Sequence, residues 1–295
     1  MIAEGVLRWP SGQFQILPVF LPVRSPRCLL AVALACSLAF GVVGACGADL
    51  DEGWREAAQL FSREANRTFQ TLARERTGVE QREAKLGEAV TLLQVPPLTA
   101  ARVADSVARL RALVAENAND ETGLAARYFL GRVRQIFETD DTRPEDPEEF
   151  AGLIRDHPES AFAQLAMVKL TLRRLYAPAQ GPKQRLEQAA QLERRITLPR
   201  LACDYHLAMG NALIFFRGSD REALRHLVAA RDLGLPDDLA RADVLVQIGE
   251  LARGLGERAV ARESYARFLR EVRHDVRILM IRDRLAELEK GGKNE

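Results

Sequence analysis

The sequence predicts an all-α chain, an α-solenoid of antiparallel helical hairpins. Three observations carry this. Ala, Leu, Arg and Glu dominate the 295 residues while aromatics make up only 6%, a mixture that favours helix over sheet. Apolar residues recur at helical spacing from Asp51 nearly to the end, and no segment alternates β-branched and polar residues over a strand's length. Glycines, prolines and capping residues interrupt these stretches at hairpin-like intervals. A hydrophobic fraction of 47% is ample for a core.

Residues 1–46 read as a leader. Pro10, Pro18 and Pro22 punctuate a short apolar stretch without helical period. The basic Arg24-Ser25-Pro26-Arg27 then precedes an uncharged run from Cys28 to Gly47. A basic lead, an apolar run and small residues at its end describe an export signal. Such signals start near the initiator, so translation is expected to begin near Val23, with residues 1–22 a mis-started extension. Val43-Gly44-Ala45-Cys46 resembles a bacterial lipobox. In that family the cysteine thiol is diacylated and becomes the new N-terminus. The resemblance implies lipidation at Cys46. Gly47 and Ala48 follow instead of an acid, which implies an outer-membrane lipoprotein on the periplasmic side. Cleavage after Ala48 would release a soluble periplasmic protein instead, and an uncleaved run approaches the ~20 residues of a membrane span.

Cysteine usage fits export. Cys28 and Cys36 leave with the signal and Cys46 carries lipid, so Cys203 alone remains and no intrachain disulfide forms. Cys203 lies on an apolar helical stretch and is expected to be a buried small hydrophobe. The formal net charge is +1. Three arginines and one glutamate precede Cys46, which leaves −1 on the rest. Such a balance gives no broad pull toward nucleic acid or anionic lipid.

Residues 47–118 predict three helices of uncertain pairing. Trp54, Ala57, Ala58, Phe61, Ala65, Phe69 and Leu72 mark one continuous stripe. Thr77-Gly78-Val79-Glu80 reads as a break and capping box. Leu86, Val90 and Leu93 mark a second helix, which Val95-Pro96-Pro97 stops. Val103, Val107, Leu110, Leu113 and Val114 mark a third.

Residues 119–273 read as helical hairpins. Leu130-Gly131 sits in one helix, Phe150, Leu153 and Ile154 in the next, and His157-Pro158 closes the unit. The acidic loop between lacks the alternating spacing and glycine of a calcium loop. Asp146-Pro147-Glu148-Glu149 reads instead as an N-cap, a proline at the first helical position and dipole-matched acids. Ser160 to Tyr176 and Lys183 to Arg195 follow. Thr197 begins a unit with Met209-Gly210 in its first helix and Ala223 and Leu227 in its second, joined through the capping box Ser219 to Glu222. Ala212 to Phe216 leaves the first helix apolar nearly all round. Central burial is the expectation, and an exposed patch at Ile214 and Phe215 the alternative. Leu239 to Val272 then gives two amphipathic helices with a turn at Leu255-Gly256. Ile248-Gly249 sits in the first, and Ala261, Tyr265, Phe268 and Leu269 recur along the second. Residues 274–295 read as a capping helix, His274 to Lys290, and a polar tail.

Leu239 to Val272 resembles a tetratricopeptide repeat (TPR), a 34-residue helix-turn-helix unit. The resemblance covers Glu121 to Val272 in outline. It implies that glycine and alanine mark close helix crossings and that neighbouring hairpins stack. In that family first helices line a concave face. The resemblance therefore implies a groove containing Tyr128, Arg132, Asp204, Leu207, Asn211, Asp243, Val246, Glu250 and Arg253. Asn211 after Gly210 is similar to the carboxylate clamp of TPR co-chaperones. The lysine expected three residues before that glycine is Leu207, however, and the next repeat holds Val246 and Glu250 at the two places, so the clamp pattern fails.

Catalytic signals are weak. His157, His206, His226 and His274 accompany no HExxH, Cys-x-x-Cys, GxSxG or P-loop motif. Cys203 and His206 share a helix face and offer half a metal site without a second pair. No catalytic residue, metal or cofactor is expected. The expected function is a non-catalytic scaffold of the bacterial cell envelope, binding an envelope protein or peptide in assembly or secretion. The alternative is a cell-wall hydrolase on a helical repeat frame.

Overall fold

The structure, a computed structural model, describes residues 49–137, 147–176, 180–235 and 237–291. The leader with Cys46, most of the acidic loop and the end of the polar tail lie outside the described residues. The chain is all-α, as the sequence predicts. Its helices are α1 (Leu50–Ala58), α2 (Ser62–Glu75), α3 (Gly78–Leu92), α4 (Ala100–Glu116), α5 (Glu121–Phe137), α6 (Glu148–Asp156), α7 (Ala161–Leu175), α8 (Pro182–Ala190), α9 (Pro199–Phe215), α10 (Asp220–Leu233), α11 (Asp238–Gly254), α12 (Arg258–Glu271) and α13 (Ile278–Gly291). A 3₁₀ turn at Glu193–Arg195 precedes α9. Among the described residues there is no strand, and no helix is long and apolar enough to cross a membrane.

The chain divides into two compact units between Val133 and Arg134, inside α5. In the first unit α1 packs on α2 and α3, α2 on α3, and α3 on α4. In the second each helix from α6 onward packs on the next, with α7 also reaching α9. Caps locate many starts. Ser160, Ser219 and Asp237 each accept from a backbone N–H three residues on, opening α7, α10 and α11. Helix α6 begins at Glu148, so Pro147 occupies the cap and not the first helical position. Thr77 stands at the N-cap of α3 but its hydroxyl accepts no cap hydrogen bond. The last helix starts at Ile278 and not His274. Asp275 accepts from the Arg277 backbone and guanidinium at 2.7–2.8 Å, folding these residues into a turn ahead of it.

The stripe from Trp54 to Leu72 is not one helix. It is a hairpin, α1 and α2, folded at Leu60. Leu60 adopts φ 65°, in the left-handed region, and the Phe61 N–H donates back to the Glu56 carbonyl at 2.9 Å. The same device turns α9 into α10 and α11 into α12. Arg217 has φ 52° and Gly256 φ 76°; Gly218 N–H donates to Leu213 and Glu257 N–H to Ala252, both at 2.8 Å. This is the Schellman-type helix stop, in which a left-handed residue lets the chain reverse while satisfying a terminal carbonyl. Periodicity cannot reveal it at Leu60, because leucine carries no turn signal.

A second feature sets these three hairpins in register. Seven residues before each left-handed position lies a glycine: Gly53, Gly210 and Gly249. A Cβ on Gly53 would lie 2.8 Å from the Phe69 ring, and one on Gly210 would lie 2.7 Å from Leu227. On Gly249 it would collide with the Tyr265 ring more closely still. Phe69 is also met by Gly87 of α3, where a Cβ would come within 2.5 Å. Ala65, Ala223 and Ala261 sit four residues before those large side chains and are buried. The crossing pattern read at Gly210 and Gly249 therefore extends to α1 and α2, where the sequence showed no clean repeat.

Paired substitutions within α11 test this geometry. Gly249→Ala drives a methyl into a buried ring, and overpacking of this kind costs ~1–3 kcal/mol. Gly254→Ala, in the same helix with open space around it, should leave stability unchanged or raise it by ~0.5–1 kcal/mol through helix propensity. Urea melts of the pair test the crossing; equal midpoints would refute it. Arg217→Gly relieves a left-handed non-glycine residue and should stabilise by ~1 kcal/mol, read as a rise in midpoint.

Candidate interaction surface and histidine cluster

The structure distributes the expected groove residues unevenly. Asn211 and Asp243 are exposed. Asp204, Glu250, Arg253 and Arg132 are half-buried, and burial pulls the Arg132 guanidinium below its ordinary value. Tyr128 is only 6% exposed, so it belongs to the interior and not to a groove. Leu207 and Val246 are half-buried as well and pack against the apolar core of α10 to α13. Burial opposes the charge on Glu250, but its hydrogen bonds outweigh this and hold its pKa below the ordinary value. It accepts from Arg253 at 2.8 Å and from the Tyr265 hydroxyl at 2.7 Å, and Arg284 of α13 lies 3.7 Å away. Glu250 thus anchors the ring that Gly249 admits. Asp243 pairs with Arg277 at 2.7 Å, and Asp204 lies 3.8 Å from Arg200.

The C-terminal end of α9 differs from the expectation of central burial. Ile214 is partly exposed and Phe215 is 73% exposed. Phe215 packs edge-on against Phe216 at 5.1 Å between centroids. Phe216 in turn faces Tyr176, itself 56% exposed, at 6.5 Å, and the Arg185 guanidinium lies 5.7 Å over its ring. The C-terminal ends of α7 and α9 and the first turn of α8 therefore form one aromatic face with a cation on it. The repeat register makes Phe215 informative. Five residues after Gly53 and Gly249 the sister hairpins hold Ala58 and Gly254, both small and exposed. Nothing in hairpin packing calls for an aromatic ring there. The exposed patch at Ile214 and Phe215, the alternative to central burial in the sequence, is the arrangement found.

A polar cluster lies on α9 and α10. His206 Nδ1 and His226 Nδ1 are 2.8 Å apart. Arg225 Nη2 lies 2.9 Å from His226 Nε2, and its guanidinium donates to both oxygens of Glu193 in the 3₁₀ turn at 2.6 and 3.2 Å. The donors determine the tautomers. Arg225 can only donate, so His226 Nε2 accepts and its proton sits on Nδ1. His206 Nδ1 accepts that proton's hydrogen bond. The Tyr205 ring meets both imidazoles edge-on. Cys203 does not join His206. Its buried thiol donates to the carbonyls of Ala230 and Gly234, and burial, with Asp204 nearby, raises its pKa. The half-site that the spacing of Cys203 and His206 would allow is not formed; His206 lies against His226 across the hairpin instead.

No family model matches the chain, and no curated protein matches it. Among solved structures, a thermophilic TPR protein of Thermus thermophilus is similar at 18% identity, covering 70% of this chain and 98% of that one, with a TM-score of 0.39.

Burial, the Arg225 charge and the second imidazole push His226 down to about 4, with Glu193 opposing. The folded value lies below the ordinary 6.5, so between pH 6.5 and 4 the unfolded chain holds the extra proton. Stability therefore falls as pH drops through that window. His226→Gln should remove up to ~2 kcal/mol of the loss between pH 7 and 5. Urea midpoints at the two pH values measure it; equal losses in variant and wild type would show that His226 titrates as in the unfolded chain.

Proposed function

We propose that the chain is a non-catalytic, TPR-type scaffold of the bacterial cell envelope that binds another protein. The observation that carries this reading is the aromatic face of Tyr176, Phe215 and Phe216 with Arg185. Aromatic and arginine side chains are enriched at binding hot spots, and a large exposed ring without a packing role marks an interaction site. Near-neutral charge fits apolar anchoring over electrostatic steering. The exposed Asn211 lies one helical turn before Phe215 on α9 and supplies polar register beside it. Envelope placement rests on the basic lead, the apolar run and the lipobox-like Val43 to Cys46, with lipid on Cys46 as the anchor. A role in envelope assembly or secretion follows from that placement. The hydrolase reading gains no support from the polar cluster, whose single carboxylate, Glu193, is engaged by Arg225.

Phe215→Glu should leave the melt within about 0.5 kcal/mol, as for an exposed position. It should abolish recovery of a stoichiometric partner from detergent-solubilised envelopes. Retention of the partner by Phe215→Glu and by Tyr176→Ala would sink the proposed face. Cys46→Ser should abolish metabolic incorporation of a fatty-acid analogue; equal labelling of variant and wild type would remove the anchor.

A further inference from the structure

The α9–α10 hairpin holds two histidines where its sister hairpin holds none. His206 lies four residues before Gly210; the corresponding residue before Gly249 is Leu245, fully buried in the core. His226 lies three residues after Ala223; the corresponding residue after Ala261 is Ser264, also buried. The hairpin therefore packs without imidazoles at these places. Their presence places two nitrogen ligands face to face, and Glu193 completes a trio whose ligand atoms all lie within 4.8 Å of one another.

We propose that Glu193, His206 and His226 form a binding site for a divalent transition-metal ion of the zinc type, gated by Arg225. Two imidazoles and one carboxylate are a donor set suited to zinc, cobalt, nickel or copper and poorly suited to magnesium or calcium. The Nδ1 atoms stand 2.8 Å apart, and a tetrahedral ion with Zn–N of ~2.0–2.1 Å needs them to separate by only about half an ångström. His226 is only 2% exposed, so the site is floored by the hairpin core, while Glu193 and His206 are half-buried and leave a path for entry.

Arg225 now occupies the cation's place. Its guanidinium contacts Glu193 and His226 together. Coordination through His226 Nδ1 moves the imidazole proton to Nε2, where it would face an Arg225 donor. The arginine must then leave Nε2, and the same movement releases the Glu193 carboxylate. Its side chain is more than half exposed, so it can swing into solvent. One displacement thus frees two ligands, with no net loss of a proton from the neutral histidine. The bound ion would tie the 3₁₀ turn to both helices of the α9–α10 hairpin.

The test uses the full chain without an affinity tag, freed of metal, and titrated separately with zinc by calorimetry and with cobalt by visible absorption. One ion per chain should bind, with cobalt developing the intense visible bands of a low-coordinate site. Zinc should raise the melting temperature. Arg225→Ala should bind about tenfold tighter, because it removes the competing charge-assisted hydrogen bonds. His206→Ala should abolish tight binding and Glu193→Gln should weaken it at least about tenfold, each with wild-type helical content by circular dichroism. Should His206→Ala unfold, the partly exposed Glu193→Gln decides. Absence of stoichiometric binding by both wild type and Arg225→Ala overturns the proposal. So does binding that Glu193→Gln and His206→Ala leave intact, which would place the ion elsewhere.

Discussion

The close crossing of a glycine with a large side chain is the constraint on which the rest of the structure depends. Gly53 and Gly87 close on Phe69, Gly210 on Leu227 and Gly249 on Tyr265. Each crossing sets how far two helices approach and at what register. That register decides which residues are buried one turn further along. Phe268 and Ile281 can fill the α11–α13 core only because α12 lies close enough to α11 for Tyr265 to be sealed beneath Gly249. The sealed ring carries a hydroxyl, which donates a hydrogen bond to Glu250, the residue after Gly249 on α11. A buried Tyr hydroxyl without that partner would cost much of what burial of the ring contributes.

Much of the fold was legible because glycine advertises both parts of the device at once in α11 and α12. Gly249 marks the crossing and Gly256 the left-handed turn seven residues later. In α1 and α2 the crossing glycine is present, but the turn falls on Leu60, and Leu60 and Phe61 extend the apolar stripe across it. Hydrophobic period reads through such a turn, because the chain reverses without any change in composition. In α9 and α10 the turn falls on Arg217 and runs one residue longer: α10 starts three residues after the left-handed position, against two in the others. That extra residue places Leu227, not His226, under Gly210 and turns His226 toward His206.

The expected groove was less legible than the fold. A residue's place on a first helix follows from repeat register, but its exposure depends on what the next helix covers. Leu207 and Val246 are apolar residues on the correct helices, and both are partly buried against the core of α10 to α13. Glu250 looked like a partner-facing acid because a carboxylate is normally solvated. Tyr265 and Arg253 instead draw it into the fold. Tyr128 shows the same error in an aromatic residue. The candidate surface that remains, around Phe215, was visible in sequence as an overly apolar helix end. An apolar helix end predicts burial, yet Phe215 stays 73% exposed, where the sister hairpins hold the small residues Ala58 and Gly254.

Positions that break the repeat therefore carry more functional information than positions that keep it. Repeat packing explains an alanine before each crossing and a small residue at the exposed helix end. It does not explain Phe215, nor two histidines in place of Leu245 and Ser264. An apolar pair there would remove the need to satisfy four ring nitrogens in a half-buried site, where each unpaired polar group costs stability. The hairpin satisfies three of those nitrogens by bringing in Arg225 and pairing the imidazoles, and it takes Glu193 from outside the hairpin to balance the arginine. Packing alone does not call for a network that recruits residues from three segments to keep two histidines facing each other, since the sister hairpin places Leu245 and Ser264 at the same positions.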